Sequence, residues 1–108
     1  MKVAVFVDVP YYTSRLREIA EELGIKIALC TSVESVPGDT ASIFVDLSAT
    51  AFDPIQIISS VKTVCTGPIT AFVSGVQIDM KERAEKAGAN EVLPRSMFVD
   101  RIEEALRT

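Results

Sequence analysis

Short apolar runs alternate with segments of helical periodicity along the whole chain. The runs are rich in Val, Ile and Phe, a composition that favours strands. Five of them predict strands, at Val3–Val7, Ile25–Cys30, Ser42–Val45, Ile69–Val73 and Glu91–Leu93. Nearly continuous apolar strands separated by helices indicate a parallel sheet that is covered on both faces.

The first two predicted helices have clear ends. The first repeats apolar positions at helical spacing and stops at Gly24, a residue type that suits the left-handed position after a helix. Its apolar face comprises Tyr12, Leu16, Ile19, Ala20 and Leu23. Asp53 followed by Pro54 is typical of a helix start, with the carboxylate as N-cap. We expect the helix behind it to bury Ile57, Ile58, Val61 and Val64.

The last two helices are predicted from similar signals. Asp79, with Glu82 three residues later, resembles a capping box at a helix start. This helix would turn Met80, Ala84 and Ala87 inward and end at Gly88. Ser96 is the predicted cap of the final helix. The core face of that helix would comprise Phe98, Ile102, Ala105 and Leu106.

One connection is too poor in helical pattern to hold a full helix. The segment Thr31–Ala41, between the second and third strands, has room for one helical turn at most. Lys26 interrupts the second apolar run, which indicates an edge strand. We therefore predict an α/β, flavodoxin-like, doubly wound sheet of five parallel strands in the order 2-1-3-4-5. Its second helix would be short or missing.

Composition limits the possible functions. Residues 1–108 suit one domain, and 15 acidic against 11 basic side chains give a net charge of −4. A nucleic-acid-binding domain usually carries a basic stripe, so we expect no nucleic-acid partner. The chain has no His, which excludes imidazole catalysis. Two distant cysteines and only short apolar runs favour a cytoplasmic protein with no membrane contact.

Four polar residues follow successive predicted strands: Asp8, Asp46, Ser74 and Arg95. In a doubly wound sheet the carboxyl ends of the strands form the binding edge. Two carboxylates there could hold a hard cation, and an Arg could bind a carboxylate or phosphoryl group. Asp8, Asp46 and Ser48 are thus candidate ligands of a weak Mg²⁺ site. Ser74 adds a hydroxyl at the same edge.

The order and spacing of these segments resemble a response-regulator receiver domain over essentially the whole chain. Lys2–Asp8 is similar to the family's first strand, which ends in acids, and Ile43–Asp46 to the strand that ends in the phosphoacceptor. The resemblance thus implies that Asp46 is the candidate phosphoacceptor, with Ser74 and Arg95 as the other candidate residues of the phosphoryl site. Asp53 stands where the family often begins a helix with an Asp. Ala71–Gly75 is similar to the fourth strand with its Ser or Thr. The most specific match is Ala84–Leu93, with its Ala-Gly-Ala lead into the fifth strand.

The departures from the family pattern fall on the site itself. Val9 stands where a second acid would bind the metal directly. Arg95–Ser96 replaces the family's Lys followed by Pro, and residues 46–50 lack the usual Pro. The switch aromatic of strand five is aliphatic, Val92 or Leu93. The resemblance thus implies an atypical, degenerate member.

Three interpretations stay open on the sequence alone. The first is a degenerate receiver that acts through protein contacts, with a histidine kinase or an output protein as partner. The second is a working phosphoacceptor regulator that is phosphorylated on Asp46, and the third is another flavodoxin-like binding subunit. None is an independent enzyme. The resemblance also suggests a homodimer through strand five and the last two helices, where Met97 and Val99 lie off the core face. Tyr11 and Tyr12 could line a ligand crevice, or one of them could pack inward while the other covers the site.

Overall fold

A sheet of five parallel strands forms the centre of the protein, in the order β2-β1-β3-β4-β5. The computed structural model describes residues 2–75 and 77–107. The strands are β1 Lys2–Phe6, β2 Ile27–Cys30, β3 Thr40–Asp46, β4 Ile69–Val73 and β5 Glu91–Pro94. The helices are α1 Pro10–Leu23, α2 Pro54–Val64, α3 Ile78–Ala87 and α4 Phe98–Arg107. Short 3₁₀ turns cover Val33–Ser35 and Arg95–Met97. The predicted fold class and strand order are confirmed.

Two apolar layers enclose the sheet, as its alternating side chains require. In β1, Ala4 and Phe6 belong to the layer under α2 and α3, and Val3 and Val5 belong to the layer under α1 and α4. All four side chains are buried. A central strand that is apolar on both faces is typical of a parallel sheet. The carboxyl ends of β1 and β3 therefore meet at one edge of a rigid core.

The second connection has no α-helix. Between β2 and β3 the chain forms only the three-residue 3₁₀ turn Val33–Ser35. This agrees with the prediction that the second helix is short or missing. β2 pairs with β1 alone, which confirms that it is an edge strand.

Two connections require glycine, one for its backbone conformation and one for close packing. Gly24 closes α1 in the left-handed conformation, with φ of 67°, as predicted. Gly67 precedes β4, and a Cβ placed there would clash with the backbone carbonyl of Ala41. A side chain at residue 67 would therefore push the connection away from the start of β3.

Three predicted details of the helices are wrong. Val64, expected in the core, is 63 % exposed because it lies on the outer side of the last turn of α2. Asp79 is not a cap, since α3 begins at Ile78 after Gln77, which makes no side-chain cap bond. Ser96 lies inside the 3₁₀ turn Arg95–Met97 and not directly before α4. At Asp79 and Ser96 the local signal for a cap was present, but neighbouring residues already adopt helical turns.

Asp53 caps α2 as predicted, and its carboxylate accepts hydrogen bonds from the backbone N–H groups of Ile55 and Gln56. We expect Asp53→Ala to lower the free energy of unfolding by about 1 kcal/mol, because the first turn loses these acceptors. Asp79→Ala is the matched control, with an acid inside the first turn of α3 but no cap bond, and should cost less. Urea unfolding would measure both. Equal losses would contradict the assignment of the cap.

Candidate functional site at the carboxyl edge of the sheet

Asp46 is the fully buried carboxylate of this edge. It is the last residue of β3, and none of its surface is exposed. One of its oxygens, Oδ1, accepts a hydrogen bond from the backbone N–H of Ser48 at 3.0 Å. The other, Oδ2, accepts one from Nη2 of Arg95, also at 3.0 Å. Both carboxylate oxygens therefore have a partner inside the protein.

Arg95 reaches Asp46 from the turn that follows β5. Its side chain is 27 % exposed, and its guanidinium lies 5.1 Å from the ring centroid of Tyr12. Tyr12 in turn packs on Phe98, with ring centroids 4.8 Å apart. Burial lowers the pKa of Arg95, but the hydrogen bond and the charge of Asp46 outweigh it, so the pKa rises. The cation is thus fixed between an anion and an aromatic face.

One buried N–H donor of Arg95 makes no hydrogen bond to the described residues. Its Nε atom is buried and has no hydrogen-bond partner among the described residues. Such a buried, unpaired donor is uncommon and costs free energy. The guanidinium therefore makes one direct bond to Asp46, not the two parallel bonds of an ideal fork.

Asp8 binds the loop after β3. Its Oδ2 atom accepts hydrogen bonds from the backbone N–H groups of Thr50 and Ala51, each at 2.9 Å. The Thr50 hydroxyl lies 3.3 Å from the same oxygen. The backbone N–H of Thr50 contributes most, and that of Ala51 next, to lowering the pKa of Asp8, although burial opposes them. Asp8 is therefore a charged anchor for residues 50 and 51.

The two carboxylates hold one loop at both ends. Asp46 binds the backbone at Ser48, and Asp8 binds it at Thr50 and Ala51. The acids that follow the first strand and end the third strand are thus connected through the backbone of one loop. Sequence reasoning missed these partners, because backbone N–H groups exist at every residue except Pro and carry no sequence signal.

The side chains of the other candidate residues make no hydrogen bond to the Asp46–Arg95 pair within the described residues. Ser74 follows β4 and is half-buried, but no hydrogen bond joins its hydroxyl to Asp46 or Arg95 in the described part of the chain. The side chain of Ser48 is exposed. Tyr11 is 72 % exposed, whereas the half-buried Tyr12 covers Arg95. Tyr12 thus both packs inward, on Phe98, and covers Arg95, whereas the prediction divided these roles between the two tyrosines.

The donor set does not fit a strong Mg²⁺ site. Mg²⁺ needs oxygen ligands in nearly octahedral geometry, but Asp8 is bound by the loop and Asp46 by Arg95. Val9, in the position of a second acid, packs with the apolar layer under α1 and α4. Within residues 2–75 and 77–107, no cluster of three or more acidic or Cys side chains could hold a metal ion. No helix in those residues is long and apolar enough to cross a membrane.

The bonds of Asp8 make stability depend on acid pH. The folded pKa of Asp8 lies below its ordinary value of 3.8, so its stabilisation is complete above pH 3.8. It is lost as the pH falls through the folded pKa. We expect the difference in unfolding free energy between wild type and Asp8→Asn to shrink below about pH 4. Urea titrations across that range would measure it, and a constant difference would contradict the anchor role.

Removing Arg95 should cost more than removing a surface arginine. Arg95→Ala leaves the buried Asp46 with one partner fewer, and we expect a loss of about 1–3 kcal/mol in unfolding free energy. The control is Arg101→Ala, because Arg101 pairs at 2.8 Å with Glu91 while both side chains are over a third exposed. That change should cost about 0–1 kcal/mol. Similar losses in chemical denaturation would show that the Asp46 pair is no stronger than a surface pair.

Comparisons with known proteins identify the fold. No protein-family model matches this sequence, and no curated protein matches it significantly. Among solved structures, a two-component response regulator from Clostridium difficile superposes with a TM-score of 0.73 at 19 % identity, over 99 % of this chain and 96 % of that one. The receiver domain of a sensor histidine kinase from Pseudomonas aeruginosa PAO1 gives 0.75 at 17 % identity, over 98 % and 93 %. That domain has a magnesium ion coordinated in its active-site cleft.

A third similar structure contains a phosphorylated aspartic acid. It is a response regulator protein from Burkholderia pseudomallei with a phosphorylated aspartic acid, a calcium ion and citrate. It gives a TM-score of 0.77 at 20 % identity, over 99 % of this chain and 66 % of that one. These likenesses extend over nearly the whole chain and agree with the observed strand order. The chain therefore has the fold of a response-regulator receiver domain.

Proposed function

We propose that this chain is a receiver-like signalling module that acts through protein contacts and has an impaired phosphoacceptor site. The observation that carries the proposal is the ion pair of Asp46 and Arg95, which occupies one oxygen of the would-be acceptor. The role is not enzymatic, and the proposed location is the cytoplasm. A histidine kinase or an output protein is the proposed class of partner.

Impairment follows from what Asp46 would have to do. Its carboxylate oxygen would attack a phosphorus atom in line with the leaving group, while cations neutralise the developing charge. Here that oxygen is fully buried and already bonded to Arg95. Opening the pair leaves the buried carboxylate of Asp46 without its cationic partner, which costs free energy before any transfer begins. Val9 supplies no carboxylate that would attract Mg²⁺ in compensation.

A working phosphoacceptor is the second candidate, and one observation favours it. The unpaired Nε of Arg95 is a donor that a phosphoryl oxygen could satisfy. Arg binds phosphoryl groups well through its planar fork. In this case Arg95 would release the Asp46 carboxylate and bind the phosphoryl group that Asp46 has accepted. The third interpretation, another flavodoxin-like binding subunit, shares the fold but would need a ligand that the site does not suggest.

Association through the last elements stays a prediction. Met97 is 39 % exposed, and Val99 is half-buried beside it. Glu91 of β5 and Arg101 of α4 form an ion pair on the same side of the sheet. This face could hold a second copy of the chain or a docked protein.

Phosphorylation tests the two candidates directly. With acetyl phosphate and Mg²⁺, we expect intact-protein mass spectrometry to find no phosphate on the wild type. Val9→Asp together with Arg95→Lys should gain some phosphorylation and tighter Mg²⁺ binding, because a carboxylate is added and the guanidinium removed. The same double variant with Asp46→Asn is the control and should stay unmodified. Ready modification of wild-type Asp46, or Mg²⁺ binding tighter than ~100 μM, would favour the second candidate.

A further inference from the structure

The connection from β2 to β3 leaves one helix position of the fold open. Parallel strands are usually joined by a crossover of a dozen or more residues that contains an α-helix. The other crossovers contain helices of 14, 11 and 10 residues. Residues 31–39 contain only the three-residue turn Val33–Ser35. A groove of about 360 Å³ lies between this turn and α2.

The groove has an apolar stripe, with an exposed apolar residue at its rim, among polar side chains. Val33, Phe52 and Ile57 line it from the turn, the loop and α2. Val64, at the end of α2, also lines it and is 63 % exposed. Phe52 is held from below by Phe6, with ring centroids 5.9 Å apart in an edge-to-face arrangement. The lining is therefore preformed by residues that also pack on the core.

The charge of the groove is of one sign. Glu34 and Asp53 line it, and no Lys or Arg does so among the described residues. Both acids are exposed, and the Oδ1 atom of Asp53 also accepts the two cap bonds of α2. The remaining polar lining consists of hydroxyl and amide side chains, such as Thr63 and Gln56. A complementary occupant therefore carries Lys or Arg beside an apolar stripe.

We propose that this groove binds a basic amphipathic helix of a partner protein, which takes the place of the absent crossover helix. Such a helix lays apolar residues at i, i+3, i+4 and i+7 into a hydrophobic groove. The 11 residues of α2 form one wall, and that wall is roughly 16 Å long, or three helical turns. The acids Glu34 and Asp53 would meet Lys or Arg at the edges of the stripe.

The groove is also joined to the carboxylate site, and this part of the inference rests on the proposed function. Asp8 holds the backbone at Thr50 and Ala51, and the next two residues, Phe52 and Asp53, line the groove. A helix in the groove therefore contacts the far end of the loop that Asp46 and Asp8 fix. Partner binding would favour the loop conformation that the Asp46–Arg95 pair stabilises.

The test uses a designed probe, an amphipathic peptide of about 18 residues, or five turns, built from Leu and Lys. Titration into the ¹⁵N-labelled full chain, followed by NMR, should shift amides at Val33, Phe52 and Val64. Val64→Asp should weaken binding at least about tenfold, since it places a charge at the apolar rim. Ile78→Asp is the matched control, because Ile78 is also 63 % exposed but begins α3. It should leave the affinity unchanged, and each variant's spectrum reports its folding.

Charge is tested with two further titrations. Glu34→Lys should weaken binding of the Leu/Lys peptide, whereas Glu22→Lys, at an exposed acid of α1, should not. A peptide with Glu in place of Lys should not bind. Shifts centred on α3 and α4, equal binding by Val64→Asp, or equal binding of the Glu peptide would each overturn the proposal. Self-association of the wild type that Val64→Asp abolishes would assign the groove to a second copy instead.

Arg95→Ala separates this inference from the proposed function. Weaker peptide binding by Arg95→Ala supports both the groove and its connection to the Asp46 pair. Unchanged binding by Arg95→Ala, with loss in Val64→Asp, keeps the groove as a docking site and removes the connection. Phosphorylation of wild-type Asp46 would refute the proposed function while leaving the peptide result intact.

Discussion

The ion pair between Asp46 and Arg95 is the interaction on which the carboxyl edge of the sheet depends. It joins the end of β3 to the turn after β5 across the intervening β4. Asp46 has no contact with solvent, so its carboxylate depends on Arg95 and the Ser48 N–H in place of water. Tyr12 extends this dependence to α1, since its ring lies against the guanidinium. One pair therefore ties together three elements of the fold.

Two carboxylates fix the conformation of the loop between β3 and α2. A metal site at this edge would need the same carboxylates as ligands. Asp8 and Asp46 each bind backbone N–H groups of that loop. The negative charges that could attract a cation are satisfied by hydrogen bonds and by one guanidinium. This arrangement favours one loop conformation without any added ligand. It supports a module that presents a fixed surface to a partner. The groove between α2 and the turn Val33–Ser35 lies beside this loop.

The sequence predicts the scaffold better than the site, for physical reasons. Apolar runs determine strands such as β4, whose bounds Ile69–Val73 are as predicted, because burial on both faces leaves little choice. Helix ends are harder. Asp53 caps α2 as expected, yet the same signal fails at Asp79, because α3 begins one residue before that acid. Val64 fits the helical period, but it is the last residue of α2 and lies on the outer side of the final turn.

At the site, residue types could be predicted but not their partners. The spacing placed Asp46 and Arg95 at strand ends, which is why their side chains can meet. The bonds from Thr50 and Ala51 to Asp8 depend on a loop conformation that no residue pattern encodes. Nor does the pattern show that Tyr12, a core position of α1 by period, also covers Arg95.

The central claim is that Asp46 and Arg95 act on each other strongly enough to fix this edge. A double-mutant cycle with Asp46→Asn, Arg95→Ala and the combined variant, followed by chemical denaturation, measures that coupling most directly. The account predicts a coupling free energy of at least about 1 kcal/mol, within the range found for residues in one ion-pair network. Losses that add within about 0.3–0.5 kcal/mol, as for independent sites, would contradict it.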